Sequence, residues 1–194
     1  MRVAVLGAGA VGGYVGARLS RHAEVVLIGR GPHLKAIQRS GLCIDGFSAR
    51  PIRLEATTDV LAAREADLVI LTTKSYNTLE AARQLRRARV MSPVLSLQNG
   101  LTNLPLLRGT LPSNPLLGGS IVLGVNRVGP GRIRYAGGGR AVVGAVTSGA
   151  EIVRRSAALF TKSGIPTKTT RDLDAVLWGK AVVNAAVNPV TAVL

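Results

Sequence analysis

Short apolar runs recur along the first half of the chain and are separated by segments with helical periodicity. The runs that predict buried strands are residues 2–6, 24–28, 67–71 and 93–97. The segments that predict helices between them are residues 11–19, 31–40 and 75–89, with Ser75 as the expected N-cap of the last. This alternation predicts an α/β fold built on a doubly wound, mostly parallel sheet with helices on both faces.

The second half of the chain is richer in glycine and gives a less regular pattern. Further strands are expected at residues 116–123, 132–135, 141–146 and 165–169, and a further helix at 151–163. Gly137-Gly138-Gly139 separates two of these strands and is interpreted as a turn. After Asp172 no strand pattern remains, and residues 177–189 predict one long helix that is kinked near Pro189. Asp172 and Asp174 are expected to start that helix.

The glycine sequence Gly7-Ala8-Gly9-Ala10-Val11-Gly12 lies between the first predicted strand and the first predicted helix. A G-x-G-x-x-G sequence in that context predicts a Rossmann-type dinucleotide site. Gly7 permits a tight turn, Gly9 lets the backbone approach a pyrophosphate, and Gly12 lets the helix pack closely on the strand. The helix N-terminus then offers free N–H groups to the phosphates. The alternative is a glycine-rich turn between two buried elements.

The end of the second predicted strand indicates which dinucleotide is bound. Sites selective for NAD usually carry Asp or Glu there, whereas an Arg accommodates the 2′-phosphate of NADP. Here the strand ends in Ile28-Gly29-Arg30, without a carboxylate. Arg30 therefore favours NADP, and the alternative is a solvated surface arginine in an Arg-rich chain.

Composition narrows the class of protein and its partners. The net charge of +15 suits anionic ligands, but arginine is spread along the chain and aromatic residues make up only 3%, which disfavours nucleic acid. Cys43 is the only cysteine, so the chain can form no internal disulfide, and a cytoplasmic setting is expected. His22 and His33 are isolated and expected to be solvated, and no metal site is predicted. No uninterrupted apolar stretch predicts a membrane span or a targeting segment.

Polar residues at the strand ends and on the last helix are the candidates for ligand binding. Arg30, Lys74 and Asn99 follow predicted strands, where ligands bind in doubly wound sheets. Lys180, Asn184 and Asn188 are spaced i, i+4 and i+8 on one face of an otherwise apolar helix. Either they face water or they face a polar ligand, and their spacing leaves both alternatives open.

Together these residues resemble the ketopantoate reductase family, also called 2-dehydropantoate 2-reductases. The resemblance covers the whole chain and is carried by the glycine sequence 7–12, Arg30, Lys74, Gln98-Asn99-Gly100 and the Leu-Trp-Gly-Lys-x3-Asn-x3-Asn-Pro helix at 177–189. The helix motif is the most specific of these, because the glycine fingerprint alone would admit many dehydrogenases.

The resemblance implies NADPH-dependent reduction of 2-dehydropantoate to (R)-pantoate, a step in pantothenate and coenzyme A biosynthesis. It makes Lys180 the catalytic general acid. It implies substrate binding by Asn99, Asn184 and Asn188. It implies cofactor binding by Gly7, Ala8, Gly9, Ala10, Val11, Gly12, Arg30, Lys74, Asn99 and Val125. The implied partner is a small anionic 2-keto acid.

The resemblance also implies two domains. Residues 1–170 would form the NADP-binding domain, and residues 171–194 the first helix of an all-α substrate domain that family members continue further. We therefore expect a truncated chain with impaired activity, and an exposed C-terminal helix that could self-associate or pair with another polypeptide. The alternatives are a non-catalytic NADP-binding module or gene fragment and, less favoured, a basic nucleic-acid-binding protein.

Overall fold

The computed structural model describes residues 1–147 and 149–193, with the backbone alone described for Asn188 and residues 190–193. The strands are β1 Arg2–Leu6, β2 Glu24–Ile28, β3 Cys43–Asp45, β4 Glu55–Thr57, β5 Leu68–Leu71, β6 Val94–Ser96, β7 Leu116–Gly129, β8 Arg132–Ala145 and β9 Thr167–Thr170. The helices are α1 Ala10–Leu19, α2 Gly31–Ser40, α3 Thr78–Arg87, α4 Asn103–Thr110, α5 Ala150–Lys162 and α6 Leu173–Val193. Short 3₁₀ turns lie at Val60–Ala63 and Ser75–Asn77.

The nine strands of the described residues form one sheet of order β3-β8-β7-β6-β5-β1-β2-β4, with β9 paired to β8. Every pairing is parallel except the one between β7 and β8. The predicted α/β fold with a mostly parallel sheet is therefore confirmed. The predicted strands in the first half are confirmed as β1, β2, β5 and β6. Each contains a run of apolar residues that is buried between the two layers.

Two apolar clusters cover the two faces of the sheet. Successive residues of a strand point to opposite faces, so Val3 and Val5 of β1 join the cluster that contains α1, whereas Ala4 and Leu6 join the one that contains α3. Most of the buried side chains are aliphatic, in line with the low aromatic content, although Tyr14 and Phe160 are fully buried. These layers hold the carboxyl ends of the central strands in a fixed register.

The prediction of separate short strands around a glycine turn was wrong, because β7 and β8 form one long hairpin of two continuous strands. Gly137, Gly138 and Gly139 lie inside β8, with φ of +125°, +86° and +101°. The pairing with β7 shifts register between Val122 and Leu123 and again between Gly124 and Val125. Glycine adopts positive φ without strain, so β8 passes through these irregularities and remains one strand.

Two further local predictions were wrong. Ser75 does not cap a helix, because its hydroxyl instead donates a hydrogen bond to the carbonyl oxygen of Asn99 at 2.6 Å, and α3 begins after it at Thr78. His33 is 4% exposed rather than solvated, because the Gly129–Gly131 turn of the hairpin folds over it. Both errors arise from contacts with residues distant in sequence.

The last helix begins as predicted and remains largely open. The Asp172 carboxylate accepts a hydrogen bond from the N–H of Ala175 at 3.0 Å, which is an N-terminal cap of α6. Trp178, Val182 and Val183 on this helix are 60–64% exposed. Within the described residues, no helix combines the length and hydropathy that crossing a bilayer would require.

Candidate active site

The carboxyl ends of four parallel strands meet at one edge of the sheet. Leu6 at the end of β1 lies level with Ile28 of β2 and with Leu71 of β5, and Leu71 lies level with Ser96 of β6. The residues that follow these ends are Gly7, Arg30, Lys74 and Asn99. The sheet therefore brings Gly7 of the glycine loop and the three predicted strand-end residues to the same edge, where ligands of doubly wound folds bind.

The turn after β1 can be built only with glycine at two positions. Gly7 has φ of +115°, and its N–H donates to the carbonyl oxygen of Ile28 at 2.8 Å. A Cβ on Gly12 would lie 2.2 Å from the carbonyl oxygen of Gly7 and 2.5 Å from Oγ1 of Thr72. The hydroxyl of Thr72 already donates to that carbonyl at 2.8 Å. Helix α1 thus starts in direct contact with the end of β1 and with the residue after β5.

Gly9 differs from Gly7 and Gly12 because, apart from its chain neighbours, no atom of the described residues lies within 4 Å of where its Cβ would be. It is the N-cap of α1, and neither a side-chain cap nor an acidic residue occupies the first turn of that helix. The first N–H groups of a helix lack partners within it and carry partial positive charge. The open space over Gly9 therefore faces an uncapped helix N-terminus, an arrangement that fits a phosphate group.

Arg30 lies next to this loop at the N-terminus of α2. The preceding Gly29 packs against Ala8, since a Cβ on Gly29 would lie 2.9 Å from the Cβ of Ala8. Arg30 is exposed, and none of the ion pairs in the described part of the chain involves it. Its guanidinium is therefore available to an anionic group that extends from the glycine loop.

Lys180 reaches the same edge from α6. Its ammonium donates a hydrogen bond to the carbonyl oxygen of Ile121 at 2.8 Å. Strand β6 ends at Ser96, level with Gly118, so Ile121 lies beyond the part of β7 that β6 covers. Ala141, opposite Ile121, donates its N–H to Pro166, which leaves the Ile121 carbonyl directed away from β8. Burial lowers the pKa of Lys180 below its ordinary value of 10.5.

For the remaining predicted site residues, the structure gives the position and the degree of burial. Asn184 is half-buried one turn after Lys180, and the side chain of Asn188 lies outside the described residues. Val125 is half-buried on β7 opposite Tyr135, at the second register shift of the hairpin. Lys74 and Asn99 are both exposed. The described residues contain no group of three or more potential metal ligands.

Several residues of the site were assigned no role by the sequence analysis, including Gln98, which was quoted only as part of a family motif. Thr72 fixes the glycine loop, and the carbonyl of Ile121 holds Lys180. Gln98 is 7% exposed, and its amide nitrogen donates to the Thr73 carbonyl and the Thr78 hydroxyl, both at 2.9 Å. A polar residue directly after a buried strand is the signal that could have singled out Gln98, whereas a backbone carbonyl has no sequence signature.

A glycine loop at the carboxyl edge of a parallel sheet, with an uncapped helix N-terminus behind it, defines a Rossmann-type nucleotide-binding α/β protein. Comparison with known families agrees and is more specific. The model of the family "Ketopantoate reductase PanE/ApbA" matches residues 3–148, and the chain belongs to this family.

Curated relatives support this assignment along the full alignment. The chain is 36% identical to the 2-dehydropantoate 2-reductase of Pyrococcus abyssi and 38% identical to that of Pyrococcus horikoshii, each over 196 residues. Both alignments include 100% of this chain and 64% of the relative. The chain therefore spans somewhat less than two thirds of the length of these proteins.

Solved structures give the same picture of the fold. A PanE/ApbA family ketopantoate reductase from Ralstonia eutropha JMP134 superposes with a TM-score of 0.88 at 34% identity, covering 96% of this chain and 62% of that one. D-mandelate dehydrogenase in a ternary structure with NADH and anilino(oxo)acetate superposes with a TM-score of 0.85 at 24% identity, covering 95% and 61%. The similarity to D-mandelate dehydrogenase shows a shared fold only.

Proposed function

We propose that this chain forms the cofactor-binding part, and supplies the proton donor, of an NADPH-dependent 2-dehydropantoate 2-reductase. Such an enzyme reduces ketopantoate to (R)-pantoate on the route to pantothenate and coenzyme A. The observation that carries the proposal is the Lys180 ammonium, held by Ile121 at the edge of the sheet where the glycine loop lies. The names of the curated relatives point to the same reaction.

The residues at this edge of the sheet support binding of nicotinamide adenine dinucleotide phosphate (NADP). The open space over Gly9 and the uncapped start of α1 suit the pyrophosphate, with Gly7, Ala8, Ala10, Val11 and Gly12 completing the loop. Arg30 would bind the 2′-phosphate, Lys74 would add positive charge beside the cofactor, and Val125 would contact the nicotinamide through its backbone. When bound, NADPH supplies a hydride to the carbonyl carbon of the substrate.

The role proposed for Lys180 is to give a proton to the keto oxygen of the substrate as that oxygen becomes negative. A lowered pKa makes the ammonium a better acid near neutral pH than an exposed lysine. Asn99 and Asn184 would hydrogen-bond the substrate and fix its orientation, as would Asn188 by its helical spacing. The substrate is a small anionic 2-keto acid, which the net charge of +15 favours electrostatically.

A second candidate function is a non-catalytic NADP-binding module. It is favoured by the coverage of only 64% of the curated relatives and by the exposure of Trp178, Val182 and Val183 on α6. An exposed apolar face of this kind is usually covered by further protein, either more of the chain or a partner. The two candidates differ in turnover and agree on cofactor binding.

The test is a paired measurement on this chain of 194 residues. NADPH is titrated by fluorescence, and its oxidation is then followed by absorbance after ketopantoate is added. Binding with turnover supports the reductase, and binding without turnover supports the module. If NADPH does not bind to a chain that circular dichroism shows to be folded, both candidates are wrong.

A further inference from the structure

The backbone of Asn99 is held more tightly than its exposed position would suggest. Its carbonyl oxygen accepts two hydrogen bonds, from the Ser75 hydroxyl at 2.6 Å and from the amide nitrogen of Asn103 at 2.7 Å. The next residue, Gly100, has φ of +99° and turns the chain away toward α4. The direction in which the Asn99 side chain leaves the sheet therefore depends on Ser75 and Asn103.

The amide of Asn103 is itself fixed by a buried network. Its oxygen Oδ1 lies 2.7 Å from the Thr78 hydroxyl, which in turn accepts a hydrogen bond from the amide nitrogen of Gln98 at 2.9 Å. Asn103 is 1% exposed, Thr78 is fully buried and Gln98 is 7% exposed. Buried polar groups that satisfy one another hold a single arrangement, because leaving any one of them unpaired costs free energy.

The same network reaches the loop that carries Lys74. Ser75 follows Lys74 directly, and the Ser75 carbonyl oxygen lies 2.7 Å from the Thr78 hydroxyl. Gln98, which precedes Asn99, donates to the Thr73 carbonyl at 2.9 Å. The loop after β5 and the loop after β6 are thus joined by hydrogen bonds on both sides of Lys74 and Asn99.

From these contacts we infer that Ser75 and Asn103 are positioning residues, which fix Asn99 relative to Lys74 so that the cofactor-side and substrate-side loops act as one unit. The inference rests on the proposed function, in which Lys74 adds positive charge beside the cofactor and Asn99 hydrogen-bonds the substrate. Displacement of a positioned group by about 1 Å can cost about 100-fold in rate. Loss of either positioning residue should therefore reduce turnover beyond its effect on folding.

Asn114 provides a matched control at the other end of β6. It is 5% exposed, and its amide nitrogen donates to the carbonyl oxygens of Val90 and Ser92, both at 2.9 Å. Like Asn103, it is a buried asparagine whose amide holds a loop next to β6. Asn103→Asp and Asn114→Asp should therefore lower the thermal midpoint of unfolding by similar amounts. Each replaces an amide nitrogen that donates hydrogen bonds to backbone carbonyl oxygens with a carboxylate oxygen that cannot donate. Only Asn103 lies at the candidate site.

The test compares both variants with the wild-type chain in two measurements. The first is backbone ¹⁵N relaxation. Asn103→Asp should lower the order parameters of Asn99 and Gly100 from about 0.85 toward about 0.6, and Asn114→Asp should leave them unchanged. The second is kinetics with NADPH and ketopantoate. Asn103→Asp should lower kcat by about 10- to 100-fold while KM for ketopantoate changes much less.

Two substitutions at Ser75 test the same inference if the Asn103→Asp variant does not fold. Ser75 is exposed, so Ser75→Ala should fold, loosen Asn99 and lower kcat, and Ser75→Thr should restore both because it keeps the hydroxyl. Unchanged order parameters at Asn99 in Ser75→Ala and Asn103→Asp would overturn the inference. A wild-type chain that neither binds NADPH nor turns over would instead overturn the proposed function, and the relaxation result would still decide whether these residues fix the loop.

Discussion

The ammonium of Lys180 is hydrogen-bonded to the carbonyl oxygen of Ile121 at 2.8 Å, across 59 residues of sequence. This bond attaches α6 to the part of β7 that extends past β6. It gives the lysine a fixed position, and no carboxylate of the described residues pairs with it, so burial is the dominant influence on its pKa.

Replacement of Lys180 should separate chemistry from cofactor binding. Lys180→Met keeps most of the apolar stem but removes the proton, so we expect turnover to be lost and NADPH affinity to stay near that of the wild type. The control is Lys168→Met, which removes an exposed lysine on β9 and should leave both properties unchanged. Retained turnover in Lys180→Met would exclude Lys180 as the proton donor.

The pH dependence of turnover should show the lowered pKa of Lys180. The lysine can donate a proton only while it is protonated, so kcat for ketopantoate reduction should be constant at lower pH and fall as pH rises through its pKa. Because burial lowers that pKa, the fall should occur below pH 10.5. A measured pH–rate profile checks this. A fall that begins only above pH 10.5, or one that is identical in Lys180→Arg, would contradict the assignment.

Arg30 should determine the preference for NADPH over NADH. Arg30→Ala removes the charged group proposed to bind the 2′-phosphate, and hydrogen bonds to charged groups contribute about 1.5–3 kcal/mol each. We therefore expect NADPH to bind about 10- to 100-fold more weakly and NADH to bind nearly as before. Arg39→Ala, on the last turn of the same helix, is the matched control. Equal weakening of both cofactors would remove this role from Arg30.

Two alanine substitutions in the glycine loop should affect different properties, Gly12→Ala the stability of the fold and Gly9→Ala the binding of NADPH. Gly12→Ala places a methyl group 2.2 Å from the Gly7 carbonyl oxygen, so it should lower the free energy of unfolding by about 1–3 kcal/mol or more. Gly9→Ala meets no atom within 4 Å and has an ordinary φ of −84°, so stability should stay within about 1 kcal/mol of wild type.

Gly9→Ala should nevertheless weaken NADPH binding, because its methyl group occupies the space proposed for the pyrophosphate. Urea unfolding measures the stability of both variants, and a fluorescence titration measures their affinity for NADPH. A Gly9→Ala chain that is stable and binds NADPH like the wild type would place the phosphates elsewhere.

His33 should make stability depend on pH. Its Nδ1 accepts a hydrogen bond from the N–H of Gly131 at 3.0 Å. Burial lowers its pKa below the ordinary 6.5, with a smaller contribution from the charge of Arg127, and outweighs the opposite effect of the nearby Gly129 carbonyl oxygen. The unfolded chain then binds a proton that the folded chain does not. The free energy of unfolding should therefore fall as pH drops below about 6.5 and level off below the folded-state pKa.

Urea unfolding at pH 5 and pH 7.5 tests this dependence. We expect His33→Asn to remove part of the difference in stability between the two pH values, and His22→Asn, at an exposed histidine, to leave it intact. If the His22 variant loses the pH dependence and the His33 variant keeps it, the buried ring is not its source.

How much could be predicted depended on whether the determining contacts were local. Strands β1, β2, β5 and β6 were predictable because strands buried on both faces are continuous apolar runs. Strand β8 was misread because three successive glycines indicate a turn by composition, and only the pairing with β7 makes them part of a strand.

The residues of the candidate site likewise fall into those that a local sequence signal marks and those whose role depends on distant contacts. The glycine sequence and the strand-end residues carry their own signals, so Gly9, Arg30, Lys74 and Asn99 could be chosen in advance. The burial of His33 depends on a turn 96 residues away, and the partner of Lys180 is a main-chain atom that any residue at position 121 would offer. Sequence patterns report side chains and cannot show a role of that kind.

The difference in length between two neighbouring strands has a consequence for how this site could change during evolution. The three residues of β6 stop beside Gly118, whereas β7 runs on to Gly129. An insertion after Ser96 that extended β6 by a few residues would pair with this free edge and cover the Ile121 carbonyl. Insertions or deletions in the loop after Ser96 would thereby decide whether the Ile121 carbonyl oxygen is accessible to Lys180. Substitutions at Ile121 would not, because every residue offers a backbone carbonyl oxygen at that position.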